Sequence, residues 1–240
     1  MGWALGAGVS DVLTLCGLNV SSGPSFGIAG LVINLLNGFR ITYALRRRQP
    51  TSEFQMSIDN LDQLERARAQ WHWRGKGRPP FADVPKLGQV SVWDFPRPPE
   101  LVREEREIVV LWGATLVART RGAWAVRETS HPPTFYLPLD DIDASLLHPA
   151  GGGSFCEWKG PALYWDLIDG ARRLPQIAWS YPHPLAGAEP LADCIAFYAH
   201  HLECSVDGAR VVAQPGDFYG GWITPDLSGP FKGEPGSSGW

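Results

Sequence analysis

EIVVLWGATLVART, residues 107–120, consists of two β-branched alternating runs on either side of Gly113-Ala114. Alternation with a period of two sends successive side chains to opposite faces of a strand, and a glycine-containing pair between two such runs marks a hairpin. The pattern recurs: YWDLIDGARRLPQIAWSY (164–181) turns at Asp169-Gly170, and LECSVDGARVVAQ (202–214) turns at Asp207-Gly208. One more strand is expected around Gly122 to Glu128, and only LPLDDIDASLL (137–147) offers a short helical turn. The reading is therefore mainly β, with antiparallel hairpins in a barrel-like or two-sheet domain over residues 101–215.

Working outward, residues 56–75 predict a leading helix. Leu61, Leu64, Ala67 and Trp71 recur at spacings of three and four and form one face to pack on the domain. Residues 76–100 follow with Pro79, Pro80, Pro85, Pro96, Pro98 and Pro99. Proline removes backbone donors, so this stretch predicts an extended arm wrapped over the domain and docked by Phe81, Trp93 and Phe95. Residues 216–240 are rich in glycine, serine and proline but carry Phe218, Tyr219, Trp222, Phe231 and Trp240, too many rings for a solvated linker. They predict a tail on a fixed path across the core.

Residues 1–55 differ in kind. Every asparagine (Asn19, Asn34, Asn37, Asn60) lies near this end, and Trp3 is the only tryptophan before Trp71. Arg40, Arg46, Arg47 and Arg48 outnumber Asp11 and Glu53, so the acid excess lies in the rest of the chain. The run FGIAGLVINLLNGF (26–39) is shorter than the about 20 apolar residues of a membrane span, and extending it buries Arg40 and both asparagines. Its positive charges follow it rather than precede it, unlike a secretory signal. Two readings stand: a misread start upstream of Met56, or a membrane-associating or partner-binding helix. Membrane contact is expected only if residues 26–48 form an anchor.

With 44% hydrophobic and 19% charged residues and a net charge of −4, the chain falls among soluble globular proteins and lacks the cationic coat that nucleic acid demands. Cys16, Cys156, Cys194 and Cys204 form no C-x-x-C pair, which fits reduced thiols in a cytoplasmic protein.

ETSHPPTFYLPLDDID (128–143), SFCEWKGPALYW (154–165) and AWSYPHP (178–184) follow one another in the order and spacing of the family called domain of unknown function 427, which this chain resembles from about Trp71 to Trp240. The flanks, GRPPFADVPKLGQVSVWDFPRPP and QPGDFYGGWITPDLSGPFKGEPGSSGW, resemble the longer bacterial members. The resemblance implies a compact fold similar to β-tents, in which two antiparallel sheets meet along one edge and leave a pocket between them. Some members carry a nucleotidyltransferase label. That chemistry wants a Gly-Ser turn followed by paired acids that hold magnesium. Here Gly153-Ser154 is followed by Asp166 and Asp169 at the wrong spacing, and the Asp141/Asp143 pair precedes it. No metal and no cofactor are expected.

Residues for a site remain. Trp124, Val126 and Glu128 share a strand face, so an inward tryptophan brings the carboxylate in with it, where it needs a partner such as Arg127, Arg121 or Lys159. Cys156, Glu157 and Lys159 lie in a loop entered through Gly151-Gly152-Gly153. There Lys159 pairs with Glu128 or binds an anion, and Cys156 is either a nucleophile activated by the ammonium or a small buried apolar residue. Tyr136, Tyr164, Trp179 and Tyr181 form a belt of rings with polar ends; Tyr164 rather than its neighbour Trp165 is expected to face the cavity. The leading reading is a small-molecule-binding domain with an aromatic pocket and a Glu128/Lys159 polar pair. One alternative is an enzyme using that pair for acid–base work with Cys156 or Tyr136 nearby, and another is a scaffold that binds partners through arm and tail.

Overall fold

The β-branched alternation becomes strand along the middle of the chain. The computed structural model describes residues 58–216 and 218–240, so the segment 1–55, with its apolar run and the anchor read into 26–48, lies outside the described residues. In chain order the elements are helix α1 (Ile58–Ala69) and strands β1 (Val90–Ser91), β2 (Glu100–Glu104), β3 (Ile108–Trp112), β4 (Thr115–Thr120), β5 (Ala123–Arg127), β6 (Thr134–Pro138), β7 (Leu147–Cys156) and β8 (Gly160–Asp169). They continue with β9 (Arg172–Ser180), β10 (Cys194–Phe197), β11 (Glu203–Val206), β12 (Ala209–Arg210), β13 (Val212–Ala213), β14 (Trp222–Ile223) and β15 (Leu227–Ser228).

A seven-stranded antiparallel sheet runs β2-β5-β6-β10-β9-β8-β7, and a four-stranded one runs β12-β11-β3-β4. The β3-β4, β8-β9 and β11-β12 hairpins lie where the alternation puts them. In the last, Asp207 (φ 47°) and Gly208 (φ 77°) both adopt left-handed backbone, as a tight two-residue turn requires. Gly151-Gly152-Gly153 departs from expectation: it lies inside β7 as an irregularity between Pro149 and Gly153 rather than forming a loop. The turn of that hairpin is Glu157-Trp158-Lys159 alone. Ile108, Val110 and Val117 of the smaller sheet join Phe135, Leu137, Leu167, Ile195 and Phe197 of the larger in one core cluster. The Ala118–Ile142 bridge and the Asp143 N–H on the Val117 carbonyl (2.8 Å) tie β4 to the segment after β6.

Helix α1 stops before Trp71, short of the periodicity, because Arg74 turns back onto its last carbonyls, Nη2 donating to Arg68 O at 2.8 Å. Leu64 is buried, while Leu61 faces solvent. The proline-rich arm docks by Trp93 and Phe95, and Phe81, still half in solvent, stacks on Trp240 with ring centroids 5.2 Å apart. Arm and tail hold each other: β1 pairs with β15 in parallel and Trp93 Nε1 donates to Pro230 O at 3.2 Å. The tail is fastened to the sheet by Trp222, fully buried, whose Nε1 donates to Phe197 O at 2.8 Å. Among the described residues no helix is long and apolar enough to cross a membrane.

Candidate functional site

Register gathers the candidate residues on one face of the large sheet. Trp124 pairs with Tyr136, Val126 with Thr134, Ala196 with Trp179, and Trp179 with Tyr164. Partners in register share a face, and so do positions two apart. Tyr136, Tyr164, Trp179 and Tyr181 therefore come to the same side, joined by Ser154 and Cys156 at the end of β7. Trp165 takes the other side, where its Nε1 donates to Ser180 Oγ at 2.9 Å.

Over this face lies a cavity of about 190 Å³. Its other walls are Trp71 ahead of the arm, the His131-Pro132 turn, and Gln214, Tyr219 and Lys232 of the tail. None of its described lining residues belongs to the four-stranded sheet. The cavity is therefore not the gap between two sheets that the resemblance implies, because the flanks cover the larger sheet's other face. Gly220 and Gly221 permit this cover. A β-carbon at Gly220 overlaps the Trp179 ring, and one at Gly221 overlaps Gln214 Oε1 and the Pro132 carbonyl.

Glu128, one residue beyond β5, lines the cavity beside Val126. Its partner is none of the basic residues considered from sequence but Arg97 of the arm, Nε to Oε1 at 2.9 Å. The Arg97 side chain has 0% exposure and also donates to Trp73 O (3.2 Å) and Thr129 O (2.8 Å) while lying over the Trp71 ring at 4.5 Å. Glu157 is committed as well, accepting from Trp71 Nε1 at 2.7 Å.

Lys159 stands apart. It lines the same cavity, yet among the described residues its Nζ makes no hydrogen bond or ion pair, and its contact is the Tyr181 ring at 5.7 Å. Burial works against its charge, but the Cys156 thiol, the Tyr136 and Tyr181 phenols and the Glu128 carboxylate more than offset that cost, so its pKa lies well above the ordinary lysine value. Tyr136 accepts from Trp179 Nε1 at 3.2 Å, and burial pushes its phenol up to about 12 against the pull of Lys159; it stays protonated. Burial also raises Tyr181. Tyr164 donates to Ser154 Oγ at 2.9 Å. Cys156 is a half-buried free thiol in this cavity, whereas Cys194 and Cys204 are free and buried.

The sequence reading missed His131, Gln214 and Lys232. Gly221 N–H donates to Gln214 Oε1 (2.9 Å), and Gln214 Nε2 donates to Lys232 O (2.8 Å) and faces His131 Nδ1 (3.0 Å). That fixed amide makes Nδ1 the acceptor and leaves the ring proton on Nε2. Burial, then the charges of Arg97, Lys232 and Lys159, hold the imidazole well below its usual value, so it is neutral at pH 7. Lys232 Nζ is held by three tail carbonyls, the shortest bond being 2.9 Å to Trp240 O. The only trace of it in the sequence is a lone cation within GPFKGEP.

The acids weighed for magnesium are engaged elsewhere: Asp166 with Arg173, Asp169 with Arg172, Asp141 with Thr120 and Asp143 with Ser145. Among the described residues no group of three or more His, Cys, Asp or Glu gathers at one point.

Fold and cavity together define an antiparallel β protein in which Trp71 and the tail cover a ring-walled pocket on its larger sheet. Residues 100–210 match the model of the family described as domain of unknown function (DUF427), and that stretch is a domain of this family. The match spans the strands that floor the cavity and stops short of Arg97, Gln214 and Lys232. No curated protein matches the chain.

Proposed function

We propose that this domain binds a small molecule, with the rings of Tyr136, Tyr164, Trp179 and Tyr181 against its apolar body and Glu128 and Lys159 as the charged groups of the wall. The observation that carries this reading is their convergence around one cavity of about 190 Å³. A cavity of about 150 Å³ accommodates benzene, and ligand sites combine apolar walls with a few converging polar groups. The acid–base enzyme reading has less support, since Glu128 is engaged by Arg97 rather than by Lys159. The scaffold reading also has less, since arm and tail are docked on their own domain. The β4 to Ile142 bridge supports a tent-like relation between the larger sheets, the three free thiols among the described residues support a cytoplasmic setting, and the likeness of the flanks to longer bacterial members supports a bacterial one.

Native mass spectrometry of protein purified from its own host tests the proposal. The expected result is a non-covalent mass retained by the wild type and lost from a folded Trp179→Leu variant. A wild type that carries no extra mass, and whose Trp179 indole resonance is shifted by no member of a fragment library, overturns it.

A further inference from the structure

Around the cavity, one charge lacks a partner. Glu128 is bound to Arg97 at 2.9 Å, Glu157 accepts from Trp71 at 2.7 Å, and Lys232 is held by the carbonyls of Ser237, Ser238 and Trp240. With Arg97 paired to Glu128 and Lys232 held by backbone oxygens of the tail, Lys159 is the lining cation that no acceptor among the described residues satisfies.

Unpartnered donors outnumber unpartnered acceptors as well. Trp158 lines the same cavity, and its Nε1 is buried with no acceptor. Buried donors are nearly always paired, so an orphan beside an unpaired ammonium is a place where an acceptor is missing. A second cavity, also of about 190 Å³, shares Val126, Trp158 and Lys159 with the first and adds Arg68, whose guanidinium lies over the Trp158 ring at 5.0 Å. Basic residues thus line both cavities at the Trp158-Lys159 turn.

Resting on the small-molecule reading, we infer that the ligand is a small organic anion whose carboxylate or phosphate group meets Lys159 Nζ while its flat apolar body lies among Tyr136, Tyr164, Trp179 and Tyr181. An acidic head group supplies the acceptor oxygens that Lys159 and Trp158 lack, and the low-polarity ring walls strengthen its pairing with an ammonium. Burial, reinforced by the charges of Arg97, Lys232 and Lys159, keeps His131 of the same cavity from adding a competing cation. A cationic or donor-only ligand meets the same groups with repulsion.

The test uses the full chain and four probes of one size: benzoate, phenyl phosphate, neutral benzamide and cationic benzylamine. Binding is titrated by the Trp179 indole resonance in wild type, Lys159→Met and Lys159→Arg at low and high salt. Expected are at least tenfold tighter binding of benzoate or phenyl phosphate than of benzamide, loss of that ratio in K159M, partial retention in K159R, and weakening with salt. The tighter of the two anions separates a carboxylate from a phosphate ligand. If benzamide and benzylamine bind as well as the anions, or if a folded K159M keeps the preference, the inference falls and the small-molecule reading stands. If none of the four binds, the inference falls, and the small-molecule reading is decided by the native mass and the fragment library.

Discussion

The Arg97–Glu128 pair joins arm to sheet at the cavity wall, and breaking it is the most direct test of how the flanks are held. The Arg97 side chain is fully buried and the Glu128 side chain 15% exposed, so removing the acid strands a guanidinium, while removing the base leaves an acid that water reaches. Glu128→Ala leaves Arg97 with two carbonyls and the Trp71 ring, at a cost of about 3 kcal/mol, the lower end for breaking a buried pair. Glu128→Gln keeps an oxygen to accept from Nε and loses only the charge; a charge-assisted bond is roughly twice a neutral one, so the cost is about 1 to 1.5 kcal/mol. Arg97→Met unpairs the Trp73 and Thr129 carbonyls as well and costs about 3 to 4 kcal/mol. The R97M/E128A double variant is less destabilised than the sum of its singles, with a coupling of about 1.5 to 3 kcal/mol. Urea unfolding followed by tryptophan fluorescence measures all four. A Glu128→Ala cost below about 1 kcal/mol, or no coupling, would falsify the claim that this pair is desolvated in the folded protein.

His131 predicts a pH effect. Its folded pKa lies below the unfolded value, so between the two the unfolded chain binds the extra proton and stability falls as pH drops below about 6.5, by at most about 1.4 kcal/mol per pH unit. Urea midpoints from pH 7.5 to 5 are expected to show this slope and His131→Gln to flatten it; equal slopes in both proteins refute it. Gly220→Ala drives a methyl into the Trp179 ring and is expected to cost about 1 to 3 kcal/mol and to shift the Trp179 indole resonance, whereas Gly77→Ala, whose methyl meets open space, serves as control by leaving that resonance in place. Among Cys156, Cys194 and Cys204, iodoacetamide is expected to label Cys156 in the folded protein. Burial raises the Cys194 and Cys204 thiols to about 11 and about 12, so they label only on unfolding; peptide mapping of a Cys16→Ser background reads the order.

Lys232→Met removes the ammonium that gathers the tail carbonyls and is expected to hasten proteolysis after Phe231, with cleavage at the wild-type rate speaking against that role.

Strand character, three hairpin turns and the family were legible because each is written locally, in period-two alternation, in Gly-containing turn pairs and in contiguous motifs. The shared face of Tyr136, Tyr164, Trp179 and Tyr181 was less so: alternation orders side chains within a strand, but register between strands decides which rows align. The Gly151–Gly153 run shows the limit of composition, since glycines that suggest a loop are held in β7 by pairing with β8. The end of α1 shows another, because apolar spacing continues to Trp71 while Arg74 closes the helix before it.

By its sequence alone this chain determined a β domain of its family, an aromatic belt, and an acid and a base placed to meet a pocket. Only tertiary structure decided that the acid belongs to Arg97, that Trp71 and the tail rather than a second sheet cover the cavity, and that Lys159 has no hydrogen-bond or ion-pair partner among the described residues. Partnership depends on which distant segments come within about 3 to 4 Å of one another, and no spacing along the chain encodes that distance.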